Sequence, residues 1–215
     1  MPAPTLSLES RMPHAMTPPS RRPLLLSYLC IALLLATPSV FAAKKPDAGA
    51  LQSLLQTSSP GSKVVCAKDT YGNAACTIDG DAVDVNDDCT SNMAFGGVAS
   101  AKGVTLEDHY KASLSKPIAH VGPHQLLCIQ ATQRKEGALI RALVKVVPTK
   151  TVKACKGNDS CKGADTPIDW KRPPSGTACT LKPDGHYAGD CATGWIDGKD
   201  IEEYSMGLNP EDTGA

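Results

Sequence analysis

The sequence predicts a mainly β fold of the α+β class: antiparallel hairpins with two or three short helices, stapled by disulfides and ending in a loop-rich C-terminal lobe. Three observations predict it. Eight cysteines follow an apolar leader: Cys66, Cys76, Cys89, Cys128, Cys155, Cys161, Cys179 and Cys191. An even set behind an export signal reads as a disulfide framework closed outside the reducing cytosol. Short runs rich in valine, isoleucine and threonine alternate with turn residues such as Asp79-Gly80, which is the signature of hairpins. Finally, residues 43–215 hold only seven aromatics: Tyr71, Phe95, Tyr110, Trp170, Tyr187, Trp195 and Tyr204. The core must lean on aliphatic side chains, and cross-links restrict the unfolded chain where apolar burial is modest.

The leader, residues 1–42, reads as a signal peptide. Arg21 and Arg22 form its positive region, and Leu24 to Ala36 is an apolar run broken only by Ser27. Pro38 and Ser39 end the run, and Val40-Phe41-Ala42 presents small residues at the two positions a signal peptidase reads. The run is too short for a comfortable membrane span, so no span is expected after cleavage. Ser20-Arg21-Arg22-Pro23-Leu24-Leu25 resembles a twin-arginine export signal, and the general and twin-arginine routes both stay open. Leu29 precedes Cys30 where a lipid-anchored cysteine wants a small residue. The expected location is periplasmic or secreted.

Residues 43–50 read as a flexible tether, 51–150 as a β-hairpin domain, and 151–215 as a cysteine-rich lobe or subdomain. Leu51, Leu54 and Leu55 share one helical face, with Asp47 placed to cap it. Lys63–Lys68, Ala74–Ile78 and Asp81–Val85 read as three strands joined by a loop centred on Tyr71 and by Asp79-Gly80. That register sets Cys66 opposite Cys76 and Cys76 opposite Val83. Residues 89–103, rich in small side chains, read as loop. Thr105 to Asp108 carries a capping-box pattern, and Leu106, Tyr110 and Leu114 follow at helical spacing, predicting a helix that stops before Pro117. Gln125–Thr132 and Ala138–Val147 predict a second major hairpin, central to the sheet, turning at Arg134-Lys135-Glu136-Gly137. After Pro148 the chain reads as loops. Trp195 and Ile196 then form a buried strand end, and Asp197 opens a last helix carrying Ile201, Tyr204 and Leu208.

The cysteine spacings, C-x9-C, C-x5-C and C-x11-C, lack the close pairs of zinc sites. Spacing alone does not fix the pairing. Sequence neighbours (66–76, 89–128, 155–161, 179–191) are the expectation, and only Cys66–Cys76 has a geometric reason behind it.

Charge is distributed in blocks. The leader removes a net +2, leaving residues 43–215 near −2. Asp79 to Asp108 holds seven acidic residues and one lysine, whereas Arg134 to Lys182 holds eleven basic and four acidic residues. This alternation excludes nucleic acid as the main partner, because phosphate binding wants one dominant basic surface. Asp79, Asp81, Asp84, Asp87 and Asp88 form a candidate acidic interaction rim. Asp84, Asn86 and Asp88 match the first three ligand positions of an EF-hand loop, but Cys89 stands at the glycine position and Phe95 at the bidentate acid. No metal or cofactor is expected.

Nucleophile-elbow, zinc-protease, P-loop and dinucleotide glycine motifs are all absent from the sequence, and no catalytic residue is assigned. Export, bridges and charge blocks together point to a disulfide-rich binding protein whose partner is a protein or the cell envelope. An inhibitor or docking partner of an envelope hydrolase fits the acidic segments. The alternative is a secreted hydrolase or cell-wall-acting enzyme, for which His120, His124, His186 and the aspartates of residues 79–88 are the candidates. That alternative needs a histidine and a carboxylate or hydroxyl in one cleft.

Overall fold

The computed structural model describes residues 47–86, 89, 94–204 and 207–208. The leader, the start of the tether, Asp87, Asp88 and the chain from Asn209 onward lie outside the described residues. The first element, α1 (Ala48–Ser58), buries Leu51 and Leu55, four residues apart on one face. Asp47 occupies the N-cap position with extended backbone, but its side chain makes no capping bond. Three strands follow: β1 (Val64–Lys68), β2 (Ala74–Ile78) and β3 (Asp81–Val85). Asp79 and Gly80 both have positive φ, 53° and 96°. A two-residue turn of that kind twists with its flanking strands, and it sets Cys76 opposite Val83.

Residues 94–121 depart from the sequence expectation. Phe95–Val98 is a strand, β4, and not a loop. Val104–Glu107 is a strand, β5, and not the start of a helix; the chain makes only a 3-10 turn at Ala112–Leu114. The reason is burial. Val104 and Leu106 alternate with half-exposed Thr105 and Glu107, a period of two, and Leu114, which the helix needed inside, is 62% exposed. β6 (Pro117–Val121) pairs back on β5, so His120 lies on a strand.

The central hairpin is β7 (Leu126–Lys135) with β8 (Ala138–Val146), turning at Glu136-Gly137. After it come three 3-10 turns, at Thr149–Thr151, Lys153–Cys155 and Asp159–Cys161, and two-residue strands β9 (Asp169–Trp170), β10 (Thr180–Leu181) and β11 (Tyr187–Ala188). β12 (Thr193–Asp197) follows. Next, a 3-10 turn at Gly198–Asp200 leads into a strand, β13 (Ile201–Glu203), where the sequence suggested a helix. β13 pairs with β4. Gly96 and Gly97 permit this: a Cβ on Gly96 would lie 2.6 Å from the Glu202 carbonyl oxygen, and one on Gly97 2.6 Å from the Tyr204 hydroxyl. α1 is the only α-helix among the described residues.

The fold is therefore mainly antiparallel β. The sheet runs β1-β2-β3-β7-β8-β12-β5-β6-β9, with β4 bridging β7 and β13. β12, from the C-terminal segment, sits between β8 and β5. All described residues belong to one unit, Ala43–Ala215.

Strand periodicity sorts side chains to opposite faces, and a bulge between Ile129 and Ala131 reverses the alternation along β7. On β7, β8 and β12, Ile129, Val144 and Ile196 enter one core with Leu106, Val121 and Ile201. Ala131, Leu143 and Trp195 enter a second beneath α1, with Leu51, Leu55 and Ile78. A third core underlies the cysteine-rich segment and includes Phe95, Leu126, Val147 and Leu208. Between sheet and surface, Arg141 is 8% exposed. It donates to Asp197 Oδ1 (2.7 Å), Glu107 Oε2 (2.8 Å) and the His109 carbonyl (3.2 Å), which offsets the cost of burying a guanidinium.

Four disulfides join Cys66–Cys76, Cys89–Cys128, Cys155–Cys161 and Cys179–Cys191, each cysteine to its neighbour in sequence. This density fits an oxidising, extracellular-type compartment. Among the described residues no helix is long and apolar enough to cross a membrane.

Candidate functional site

The β1–β2 hairpin is clamped at mid-strand and pinned at its tip. Cys66 and Cys76 face each other with Cα atoms 4.1 Å apart and are bonded. Five residues beyond Cys66, Tyr71 stands 83% exposed. Asp69 organises the loop that carries it. Its Oδ1 accepts from the backbone N–H of Tyr71 and of Asn73, each at 2.8 Å, and its own N–H donates to the Asn73 carbonyl at 2.8 Å. Gly72 donates to the Asp69 carbonyl and supplies the positive φ of 77° that the turn requires. On the helix side, Gln52 Oε1 accepts from the Cys66 N–H at 3.0 Å, tying the strand edge to α1.

The outward face of this sheet end is uncharged along β1 and β2, with Lys63 and Asp84 exposed at its borders. Val65 lies opposite Thr77, Thr77 opposite Ala82, and Ala67 opposite Ala75. Paired residues share a face, and Val65 is 46% exposed with Ala67, Ala75 and Ala82 also open to solvent. A groove bordering it is lined by Lys63, Val65, Thr77, Asp79, Gly80 and Lys111. An uncharged strip on the strands, an exposed aromatic on the loop that joins them and charges at the border match an interface core and its polar rim.

The acidic rim expected from sequence takes a different form at each aspartate. Asp79 accepts from the Lys63 N–H at 2.8 Å and from Ser62 Oγ at 3.2 Å, and pairs with Lys111 Nζ at 2.9 Å. These bonds, Lys111 foremost, hold its carboxyl at about 2. Asp81 accepts from the Tyr110 hydroxyl at 2.9 Å. Burial and that bond push the Tyr110 phenol up, so it stays neutral. Asp84 is exposed on β3. Asp87 and Asp88 lie outside the described residues.

Among the described residues, none of the three candidate histidine rings is hydrogen-bonded or ion-paired to a carboxylate. On β6, His120 has both ring nitrogens engaged, Nδ1 with Thr105 Oγ1 (3.3 Å) and Nε2 with the Lys102 carbonyl (3.1 Å). His124 is exposed in a turn with φ 60°, and His186 is exposed beside Asp184, which accepts its backbone N–H. A fourth histidine, His109, carried no sequence signal and is buried. Its Nδ1 accepts from the Lys111 N–H at 3.0 Å, so Nε2 carries the proton and donates to Ser62 Oγ (3.3 Å), which in turn donates to Asp79. The polarity runs opposite to that of an activated serine, whose histidine must accept. The chain His109–Ser62–Asp79 ties the β2–β3 turn to the segment after β5. Among the described residues no group of three or more His, Cys, Asp or Glu side chains is placed to hold a metal ion.

Asp79 gives a pH test. Its folded value lies below the ordinary carboxylate value near 3.9, so it stabilises the fold above about pH 4 and the contribution is lost as pH falls toward 2. Asp190, held down by the Ser175 N–H, acts in the same direction. For Asp108, burial pushes upward, but Arg172 and the Lys116 N–H outweigh it. Urea midpoints are expected to fall steeply between pH 4 and 2, and Asp79→Asn is expected to flatten part of that limb. A midpoint equally pH-dependent in Asp79→Asn contradicts the assignment.

No family model matches the chain, and no curated protein or solved structure matches it either.

Proposed function

We propose that the protein is an exported binding protein, periplasmic or secreted, that docks onto a protein partner through the β1–β2 hairpin, as an inhibitor or docking partner of an envelope hydrolase. The observation that supports this reading is Tyr71, held 83% exposed at the tip of a disulfide-clamped hairpin. A ring left 83% in water buries little surface and so adds little to folding. It does serve binding, because a pre-organised loop loses little freedom on association. A convex aromatic tip complements a concave cleft, and clefts are where enzymes bind their substrates. The rival reading as a secreted hydrolase wants a histidine next to a carboxylate in an open cleft, and His120, His124 and His186 do not supply that arrangement.

Tyr71→Ala tests the proposal. A buried aromatic anchor contributes about 2 kcal/mol or more to an interface, roughly 30-fold in affinity. Wild-type and Tyr71→Ala protein, immobilised at equal density, are expected to retain a hydrolase from envelope extract at low salt with that difference, while their unfolding midpoints agree. Equal retention by the two proteins, or retention of no partner by either, overturns it.

A further inference from the structure

The cysteine-rich segment carries a second, separate surface. Lys150, Lys153 and Lys156 fall three apart along consecutive 3-10 turns. Extended backbone at Val152 separates the two turns, and all three lysines line one cavity of about 550 Å³ together with Lys162. Its floor is apolar: Val152 and the Cys155–Cys161 bridge. Lys162 pairs with Asp159 at 2.6 Å. Lys150, Lys153 and Lys156 have no carboxylate within ion-pair distance among the described residues. The nearby acid, Asp165, accepts instead from the Thr149 N–H (2.9 Å) and hydroxyl (2.6 Å).

Val152 and Lys153 also wall a second cavity of about 260 Å³, lined by Phe95, Leu181 and Tyr187. Tyr187 is fixed there by a 2.7 Å hydrogen bond between its hydroxyl and Thr151 Oγ1. An apolar socket thus opens beside a row of unpaired ammonium groups.

We infer that this double cavity docks an acidic peptide segment of a partner protein. The carboxylates of the segment meet Lys150, Lys153 and Lys156, and one bulky apolar side chain of it fills the socket between Phe95, Leu181 and Tyr187. The socket lies below the roughly 300–1,000 Å³ of drug-sized ligand sites, which suits one side chain. A free phosphate leaves the socket unused. A lipid surface needs apolar groups that protrude, and here Phe95 is buried and Tyr187 half-buried, with only Leu181 exposed. Point-charge lysines without an arginine fork suit dispersed carboxylates. This surface lies apart from the Tyr71 hairpin and stands independently of its function.

The probes are blocked pentapeptides, four glutamates around a central phenylalanine or a central alanine, titrated calorimetrically at about 50 mM salt, where charge pairing is least screened. The phenylalanine peptide is expected to bind about tenfold tighter than the alanine peptide. It is also expected to lose about tenfold on Lys150→Gln/Lys153→Gln/Lys156→Gln, whose exposed substitutions leave the melting temperature unchanged. Tyr71→Ala is expected to bind as wild type does. Equal binding of the two peptides, equal binding by the triple variant, or tighter binding of inorganic phosphate or of phosphatidylglycerol vesicles overturns the inference.

Discussion

Replacing Trp195 by alanine is expected to cost about 4 kcal/mol of folding stability, the upper range for deleting a buried indole. Trp195 is fully buried on β12. Its ring meets Tyr110 edge-on with centroids 5.1 Å apart, and its Nε1–H donates to the Ser58 carbonyl at 2.8 Å. That carbonyl is one of the last in α1, which the helix itself cannot satisfy. One side chain therefore fills the space beneath the helix and closes its end. Trp195→Phe keeps most of the ring and loses the bond, and is expected to cost about 1–2 kcal/mol, the effect of leaving one buried acceptor unpaired. Urea unfolding of both variants checks this. A loss below about 1 kcal/mol for the alanine variant would show that α1 does not rest on Trp195.

Removing the Cys89–Cys128 bridge is expected to have a comparable effect. It spans 39 residues, the longest separation of the four. Loop-closure entropy then gives about 4 kcal/mol, against about 2 kcal/mol for Cys155–Cys161, which spans 6. Both Cys89 and Cys128 are buried in the core beneath the cysteine-rich segment. Cys89→Ala/Cys128→Ala is expected to lower the urea midpoint more than Cys155→Ala/Cys161→Ala does, and the reverse order would contradict the entropic account. The four bridges together approach the roughly 5–15 kcal/mol of a whole domain, so the fully reduced chain is expected to unfold.

Local signals made part of this fold readable. Asp79-Gly80 fixes a turn by its own backbone preference, and the turn fixes the register that sets Cys66 against Cys76. The β7–β8 hairpin is long and strongly apolar, with a glycine at its turn. The missed strands have distant partners and weak local signals. Phe95–Val98 has glycine at its two centre positions because β13 and Tyr204 approach it closely, and glycine reads as loop. Ile201–Glu203 finds its partner about a hundred residues earlier in the chain. Leu106, Tyr110 and Leu114 keep helical spacing, yet β5 is captured between β12 and β6, and tertiary pairing overrides the local period.

The candidate site divides the same way. The loop around Tyr71 is legible as a turn from Asp69, Gly72 and Asn73. Its functional weight lies in the exposure of the ring and in the bonds that Asp69 makes, which the sequence does not display. The aspartates looked like one rim because they are close in sequence. Strand alternation and turn geometry send Asp79 to Lys111, Asp81 to Tyr110 and Asp84 to solvent.

The most direct test of the binding reading is site-specific photo-crosslinking in envelope extract. A benzophenone amino acid placed at Tyr71 is compared with one at Leu114, an exposed apolar position outside the β1–β2 hairpin. One discrete protein adduct at position 71, absent at 114 and lost when Cys66 and Cys76 are changed to serine, is the expected result. Adducts that are the same at both positions, or that persist without the clamp, would contradict a hairpin built to dock a partner.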